Sequence, residues 1–387
     1  MKRDRRSYIS AEESLDHYDL KLMFPVLILV TIGIIMVYSA SSVLALKKFG
    51  TDFYFLKKQA LFAVTGFVAL VCGRHFPYRH LKSMAYPVLI TAIIMLGAIF
   101  IPGIGYSAGG SARWLRLGGF TVQPSEFARL AMIIYLAYSL DKKTGELKNF
   151  YVGFLPHVFV LGILTALIAL QPDFGSVVIL GAITWLMLFV AGVRILHLAP
   201  SLLLLVPVGY IYMISAGYRA RRLMSFWDPW QYSANEGYQI IHSLMAFGTG
   251  GIWGTGIGQS YQKLHYLPEP HTDFIFSVIG EELGLLGVTI ILSLYVLILW
   301  RGIIIAKNAE DSFGTFLATG ITSAIAIQVC TNMGVALGLL PTKGLTLPFL
   351  SYGGTSLLVN MASIGILMNI GTRAHKQPYA FRHPRKA

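Results

Sequence analysis

The sequence predicts an all-α polytopic membrane protein of about ten transmembrane helices, with a large outer-face loop between the seventh and the eighth. Two observations predict it. Of 387 residues, 55% are hydrophobic and 13% charged, and the mean hydropathy of +0.64 exceeds that of ordinary globular domains. The apolar residues also gather into runs of about 20, the length at which a helix crosses the hydrocarbon core with its backbone polar groups satisfied internally.

The first run, Leu20 to Leu46, follows a polar tail over 1–19 that holds Lys2, Arg3, Arg5 and Arg6. It is longer than a signal-peptide core and no small-residue cleavage site closes it, so a retained helix is expected. Further spans are expected at Phe55 to Gly73, Met84 to Ile101, Glu126 to Leu140, Val152 to Leu170, Phe174 to Gly192, Leu198 to Ser215, Phe274 to Trp300, Phe313 to Leu339 and Thr355 to Ile370, with a second tail over 371–387. Ten crossings put both termini on one side. The tails and even-numbered loops carry 18 Lys and Arg, the odd-numbered loops 11, so both termini are expected in the cytoplasm. Four of those 11 lie in one long loop, where the bias is weak, and the first hairpin alone is a tie. The +13 net charge sits largely in tails and cytoplasmic loops, which accounts for it without nucleic acid. Cys72 and Cys330 fall inside expected helices, so no disulfide framework is supported.

The long loop, Gly217 to Thr272, spans 56 residues. Ser233-Ala-Asn-Glu236 matches a capping box, and Tyr238, Ile241, Leu244, Met245 and Gly248 recur at helical spacing, which predicts an amphipathic helix in the membrane interface or packed on the bundle. Arg219, Arg221 and Arg222 carry guanidinium forks suited to phosphate. Gly254-Thr-Gly-Ile-Gly258-Gln-Ser260 lacks the ending and setting of a nucleotide loop and reads as a flexible turn.

The remaining polar residues collect at one depth. Gln123-Pro-Ser125-Glu126 with Arg129 opens the fourth helix, Gln171-Pro-Asp173 the sixth and His271-Thr-Asp273 the eighth. A capping role is available to Gln123, Ser125, Asp173 and Asp273 separately, but three helices presenting carboxylates to one layer point to a site. Glu281 and Glu282 fall about 12 Å deeper, where an unpaired carboxylate is costly.

These residues carry a family resemblance. Leu267-Pro-Glu-Pro-His-Thr-Asp-Phe-Ile-Phe-Ser-Val-Ile-Gly-Glu-Glu-Leu-Gly284 resembles a signature of the SEDS family of shape, elongation, division and sporulation proteins, the FtsW, RodA and SpoVE group. Gly338-Leu-Leu-Pro-Thr-Lys343-Gly-Leu-Thr-Leu-Pro-Phe-Leu-Ser351-Tyr-Gly-Gly354 resembles a second, and Ser111-Ala-Arg113-Trp114 with Gln123-Pro-Ser-Glu126 a third. Pro341 to Gly344 and Ile279 to Glu282 look more like the division branch than the elongation branch. Arg129 departs from the family's usual Lys, replacing a point charge with a fork.

The resemblance implies a peptidoglycan glycosyltransferase that polymerises lipid II at the outer face of the cytoplasmic membrane, with a class B penicillin-binding protein transpeptidase and other division proteins as partners. Such a transfer needs a base for the acceptor's 4-hydroxyl, and Asp273 is the candidate. Cations fixed beforehand stabilise the departing pyrophosphate, and Arg113, Arg129, Arg219, Lys263 and Lys343 are the candidate donors. Gln123, Ser125, Glu126, Asp173, His271 and Ser351 complete the expected substrate-binding set. A magnesium or manganese ion bridging a carboxylate and the pyrophosphate suits these oxygens, though the sequence does not demand one. The main rival is a lipid flippase or other transporter, which needs polar groups along the full depth rather than at one face. The elongation-type polymerase and an inactive scaffold are further alternatives.

Overall fold

The helices of a computed structural model follow the expected apolar runs in order. It describes residues 19–374 apart from 109–110, 119, 215–216, 236, 266 and 343. In chain order these are α1 (Leu20–Phe49), α2 (Tyr54–His75), the short α3 (Arg79–Ser83), α4 (Ala85–Ala98) and α5 (Pro124–Lys142). A π-helical turn (Phe150–Phe154) runs into α6 (Leu155–Leu170), followed by α7 (Phe174–Val190) and α8 (Ile195–Ile214). In the long loop come α9 (Gly217–Trp227), α10 (Tyr238–Gly250) and α11 (Gln262–His265), and then α12 (Ile275–Asn308), α13 (Ser312–Ala336) and α14 (Gly354–Ala374). Among the described residues six helices are long and apolar enough to cross a membrane, while α4 and α7 are shorter apolar helices. The chain is therefore a multi-pass membrane protein.

Helices α5 and α13 are buried on nearly every side and form the middle of the bundle. Bare glycines let neighbouring backbones close in: a Cβ on Gly73 of α2 would lie 2.8 Å from the Ala362 carbonyl oxygen of α14. At the end holding the even-numbered loops, Arg79 pairs with Glu310 at 2.8 Å, Lys82 with Asp141 at 2.5 Å and Arg301 with Asp19 at 2.7 Å. Such rim pairs contribute modestly, and they gather successive loops at one end.

The opposite end departs from the sequence reading in three places. Between α4 and α5 an antiparallel sheet of β1 (Gly105–Ala108), β2 (Ser111–Leu117) and β3 (Phe120–Val122) adds a small β element to the helical fold. The expected capping box is not formed: α10 begins at Tyr238 with Gly237 as its cap and no side-chain cap bond, while Ser233 to Asn235 lie in turns and Glu236 is outside the described residues. Ile240, Ile241, Ser243 and Ala246 of α10 are buried, and Phe247 packs on Phe276 of α12 at 5.5 Å. Helix α10 is thus laid on the bundle.

The third departure is Gly254 to Ser260, which is a plug rather than a flexible turn. Helix α12 is broken at Gly284, whose φ of 64° and ψ of −164° suit glycine. Thr255 and Gly256 donate their N–H groups to the Glu281 and Glu282 carbonyls at 2.9 and 3.0 Å, and Leu285 and Leu286 donate to Gly251 and Ile252 at 2.9 and 3.2 Å. Backbone groups freed by the break are re-satisfied by the loop, as a helix broken inside a membrane protein requires.

Candidate active site

Asp273 lies two residues before α12, and the helix cap position belongs to Phe274, which makes no side-chain cap bond. The capping role open to Asp273 in the sequence is therefore not taken. Its backbone is fixed instead by Asn332 of α13, whose Nδ2 donates to the Asp273 carbonyl at 3.0 Å and to the Leu345 carbonyl at 2.6 Å. This ties the start of α12 to the 341–353 loop. Asp273 is partly exposed at the bundle end that carries the β-sheet, the mouth of the bundle, yet the protein around its carboxyl, with the charge of Glu269, pushes its pKa to about 7; Arg113 and Arg222 pull the other way and Asp173 adds to the rise.

Arg113 reaches this place from β2. Its Nε donates to the Gln171 carbonyl at 3.5 Å and an amino group donates to the Pro172 carbonyl. The other amino nitrogen lies 4.0 Å from where a Cβ on Gly344 would stand, a point that Asp273 Oδ2 approaches to 3.2 Å. Asp173 caps α7 through the Ser176 N–H at 3.3 Å and accepts from Ser176 Oγ at 2.7 Å and Ser125 Oγ at 3.5 Å. Gln123 donates to Ser125 Oγ at 3.2 Å. Ser125 and Asp173 of the expected layer are thus joined directly, and Arg113, held on the Gln171 and Pro172 carbonyls, adds a cation on the Gly344 side.

Other expected residues stand apart. Arg129 is buried one turn inward and pairs with Glu126 at 2.6 Å, while donating to Gln328 at 2.8 Å and Asn360 at 3.4 Å. These two side chains brace α5 against α13 and α14, below the mouth. Lys263 corrects the expectation of a pyrophosphate donor: its side chain is 4% exposed, and its ammonium is spent on Glu282 at 2.6 Å and Ser39 at 2.9 Å. Glu281 is held by the N–H of Tyr261 at 2.9 Å and by Ser260 Oγ, so both deep carboxylates serve to seat the plug. Ser351 bridges the Thr272 carbonyl at 2.6 Å and the Leu347 N–H at 2.7 Å, which positions rather than contacts. His271 is buried, neutral with its pKa lowered to about 4 by burial and by Lys48, and lies 4.6 Å from the Phe55 ring. The Arg219 side chain and Lys343 lie outside what is described.

Sequence reasoning passed over Asn332, Gln328 and Asn360. The available signal was an amide inside an otherwise apolar span, a placement that calls for a partner. For a metal, the described residues contain no group of three or more His, Cys, Asp or Glu side chains. Asp273 with Asp173 supplies two carboxylates whose mutual repulsion is felt in the Asp273 pKa. That donor set fits a magnesium or manganese ion completed by substrate oxygens and water.

The family profile described as cell cycle protein, of the FtsW, RodA and SpoVE type, matches residues 20–376. The chain belongs to that family. Relatives include a probable peptidoglycan glycosyltransferase FtsW of Geobacter metallireducens, 46% identical over 95% of this chain and 98% of that protein. Stage V sporulation protein E of Bacillus subtilis is 44% identical over 91% of this chain and 96% of its own. Among solved structures, a chain of a peptidoglycan synthase complex that coordinates polymerization and crosslinking matches with a TM-score of 0.76 at 27% identity, covering 94% of this chain and 100% of its own. Rod shape determining protein RodA of Thermus thermophilus matches at 0.69 and 26%, covering 94% and 99%. The family match extends through every helix that builds the Asp273 mouth.

Proposed function

We propose that this protein is a peptidoglycan glycosyltransferase that polymerises lipid II at the outer face of the cytoplasmic membrane during septal synthesis. One observation carries the reading: a carboxyl with a pKa near 7 and an anchored guanidinium meet at Gly344 in the mouth of a membrane bundle. The kinship with proteins named FtsW supports the division role, and the likeness to a synthase complex supports a transpeptidase partner of the class B type. We assign ten crossings and both termini to the cytoplasmic side, from the element order and the charge bias.

The mechanism follows from these groups. The acceptor's 4-hydroxyl oxygen attacks the donor's anomeric carbon while the Asp273 carboxylate takes the hydroxyl proton; a base with a pKa near the working pH is suited to this. The bond from the anomeric carbon to the lipid diphosphate breaks, and the leaving oxygen gains negative charge. Arg113 is fixed beforehand by the Gln171 and Pro172 carbonyls, so it stabilises that charge without reorganising. A magnesium or manganese ion held by Asp173 would supply further neutralisation of the diphosphate, leaving Asp273 free to take the proton. Purified protein given lipid II and divalent cation, with and without a cognate transpeptidase, is expected to yield glycan strands; product-free reactions in both arms contradict the assignment.

A further inference from the structure

The outer hairpin joining α1 and α2 carries Lys47, Lys48, Lys57 and Lys58 against a single acid, Asp52. Three of the four are exposed, and together they make one hairpin a cluster of cations suited to an anion. On the outer side the positive-inside bias works against all four. Lys47 and Lys48 suit the last turn of α1, but Lys57 and Lys58 stand in the opening turns of α2, whose first turn has no acid and whose unpaired N–H groups already present positive charge. Lys58 donates to the Tyr54 hydroxyl at 2.7 Å, and Asp52 accepts from Tyr38 at 3.0 Å. Among the described residues Lys47, Lys48 and Lys57 make no salt bridge.

The hairpin packs directly on the approach to Asp273. Phe55 lies 4.6 Å from the His271 ring and 5.2 Å from Tyr352, and Gln59 donates to the Ser351 carbonyl at 3.5 Å. Two buried polar atoms at this junction, His271 Nδ1 and Gln59 Oε1, have no hydrogen-bond partner. Both atoms are closed off from solvent, so the surface that a sugar's apolar face would meet is that of the partly exposed Phe55 and Tyr352 rings.

The transfer itself calls for two anion sites. The donor's diphosphate is attached to the reacting carbon and so must lie at Asp273 and Arg113. The attacking hydroxyl belongs to the far sugar of a disaccharide, so the acceptor's diphosphate lies a disaccharide's length away. We propose that the α1–α2 hairpin is the acceptor subsite, its lysines holding the acceptor lipid's diphosphate while the partly exposed Phe55 and Tyr352 rings lead the sugars to Asp273. This rests on the glycosyltransferase reading.

The test is initial-rate coupling, in nanodiscs, of a fluorescent lipid II with a blocked 4-hydroxyl, which can only donate, to unmodified lipid II. Lys48→Ser/Lys57→Ser is expected to raise the KM for the unmodified acceptor about tenfold or more, leaving kcat and the donor KM unchanged. The rise is expected equally in phosphatidylcholine nanodiscs and in ones containing phosphatidylglycerol. A rise confined to the anionic nanodiscs would give these lysines to phospholipid and overturn the proposal, as would an unchanged acceptor KM or a loss confined to kcat. Absence of coupled product from the parent protein, both with and without a cognate transpeptidase, would instead overturn the glycosyltransferase reading itself.

Discussion

Asp273 and Arg113 face the same bare Cα: a Cβ built on Gly344 would stand 3.2 Å from Asp273 Oδ2 and 4.0 Å from an Arg113 amino nitrogen. Glycine here leaves acid and cation open to one substrate. Gly344→Val places methyl groups between them, and since misplacement by about 1 Å costs up to about 100-fold, polymerisation is expected to fall tenfold or more. Thermal unfolding in detergent should stay close to the parent's. Parent-like polymer yield from Gly344→Val would separate this contact from catalysis.

The pH profile tests the charge environment. The base works ionised, so kcat/KM is expected to fall about tenfold per pH unit below about 7 and to level off above it. Glu269 holds the Asp273 pKa up and Arg113 holds it down. Glu269→Gln should therefore move the midpoint to lower pH and Arg113→Gln to higher pH. Shifts in one common direction, or a parent midpoint in the ordinary carboxylate range, contradict this arrangement.

Lys263 is expected to act through stability. Removing its ammonium leaves Glu282, 0% exposed, without its partner, at a cost of about 3–5 kcal/mol. Lys263→Met should lower the thermal midpoint and the yield of folded protein, and Lys263→Met/Glu282→Leu should recover most of both. A fully stable single variant would mean the pair is not closed in the membrane.

How far the site is legible in the sequence follows from which residues depend on neighbours in the chain. Helix order reads directly, because each apolar run must satisfy its own backbone. Asp173 and Asp273 share a layer because both stand at helix starts, so counting along spans finds it. Arg113 is different: β2 lies in a short Gly-rich and Ser-rich stretch whose pairing with β1 and β3 no alternating pattern announces. The break at Gly284 is equally hidden, since only a loop returning to Glu281 and Glu282 makes it tolerable. Lys263 looks like a free outer cation until Ser39, 224 residues earlier, is placed beside it.

The topology is open to labelling. In a background without Cys72 and Cys330, cysteines at the exposed positions Gly118 and Trp253 should react with an impermeant reagent from outside, and ones at Thr144 and Lys307 should not. Outside labelling of position 144 would invert the protein and remove the mouth from the side where lipid II is used.

The most direct measurement is polymerisation of lipid II by purified Asp273→Asn. Asn keeps the shape but accepts no proton usefully, so the rate is expected to fall roughly 100-fold or more, with expression, partner binding and lipid II binding near the parent's. A role limited to helix capping is already disfavoured by the cap at Phe274, and would leave the variant active because Asn caps about as well as Asp. Polymer formed at close to the parent rate, free of contaminating polymerases, would contradict the assignment of Asp273 as the base and turn attention to Asp173 and Glu126.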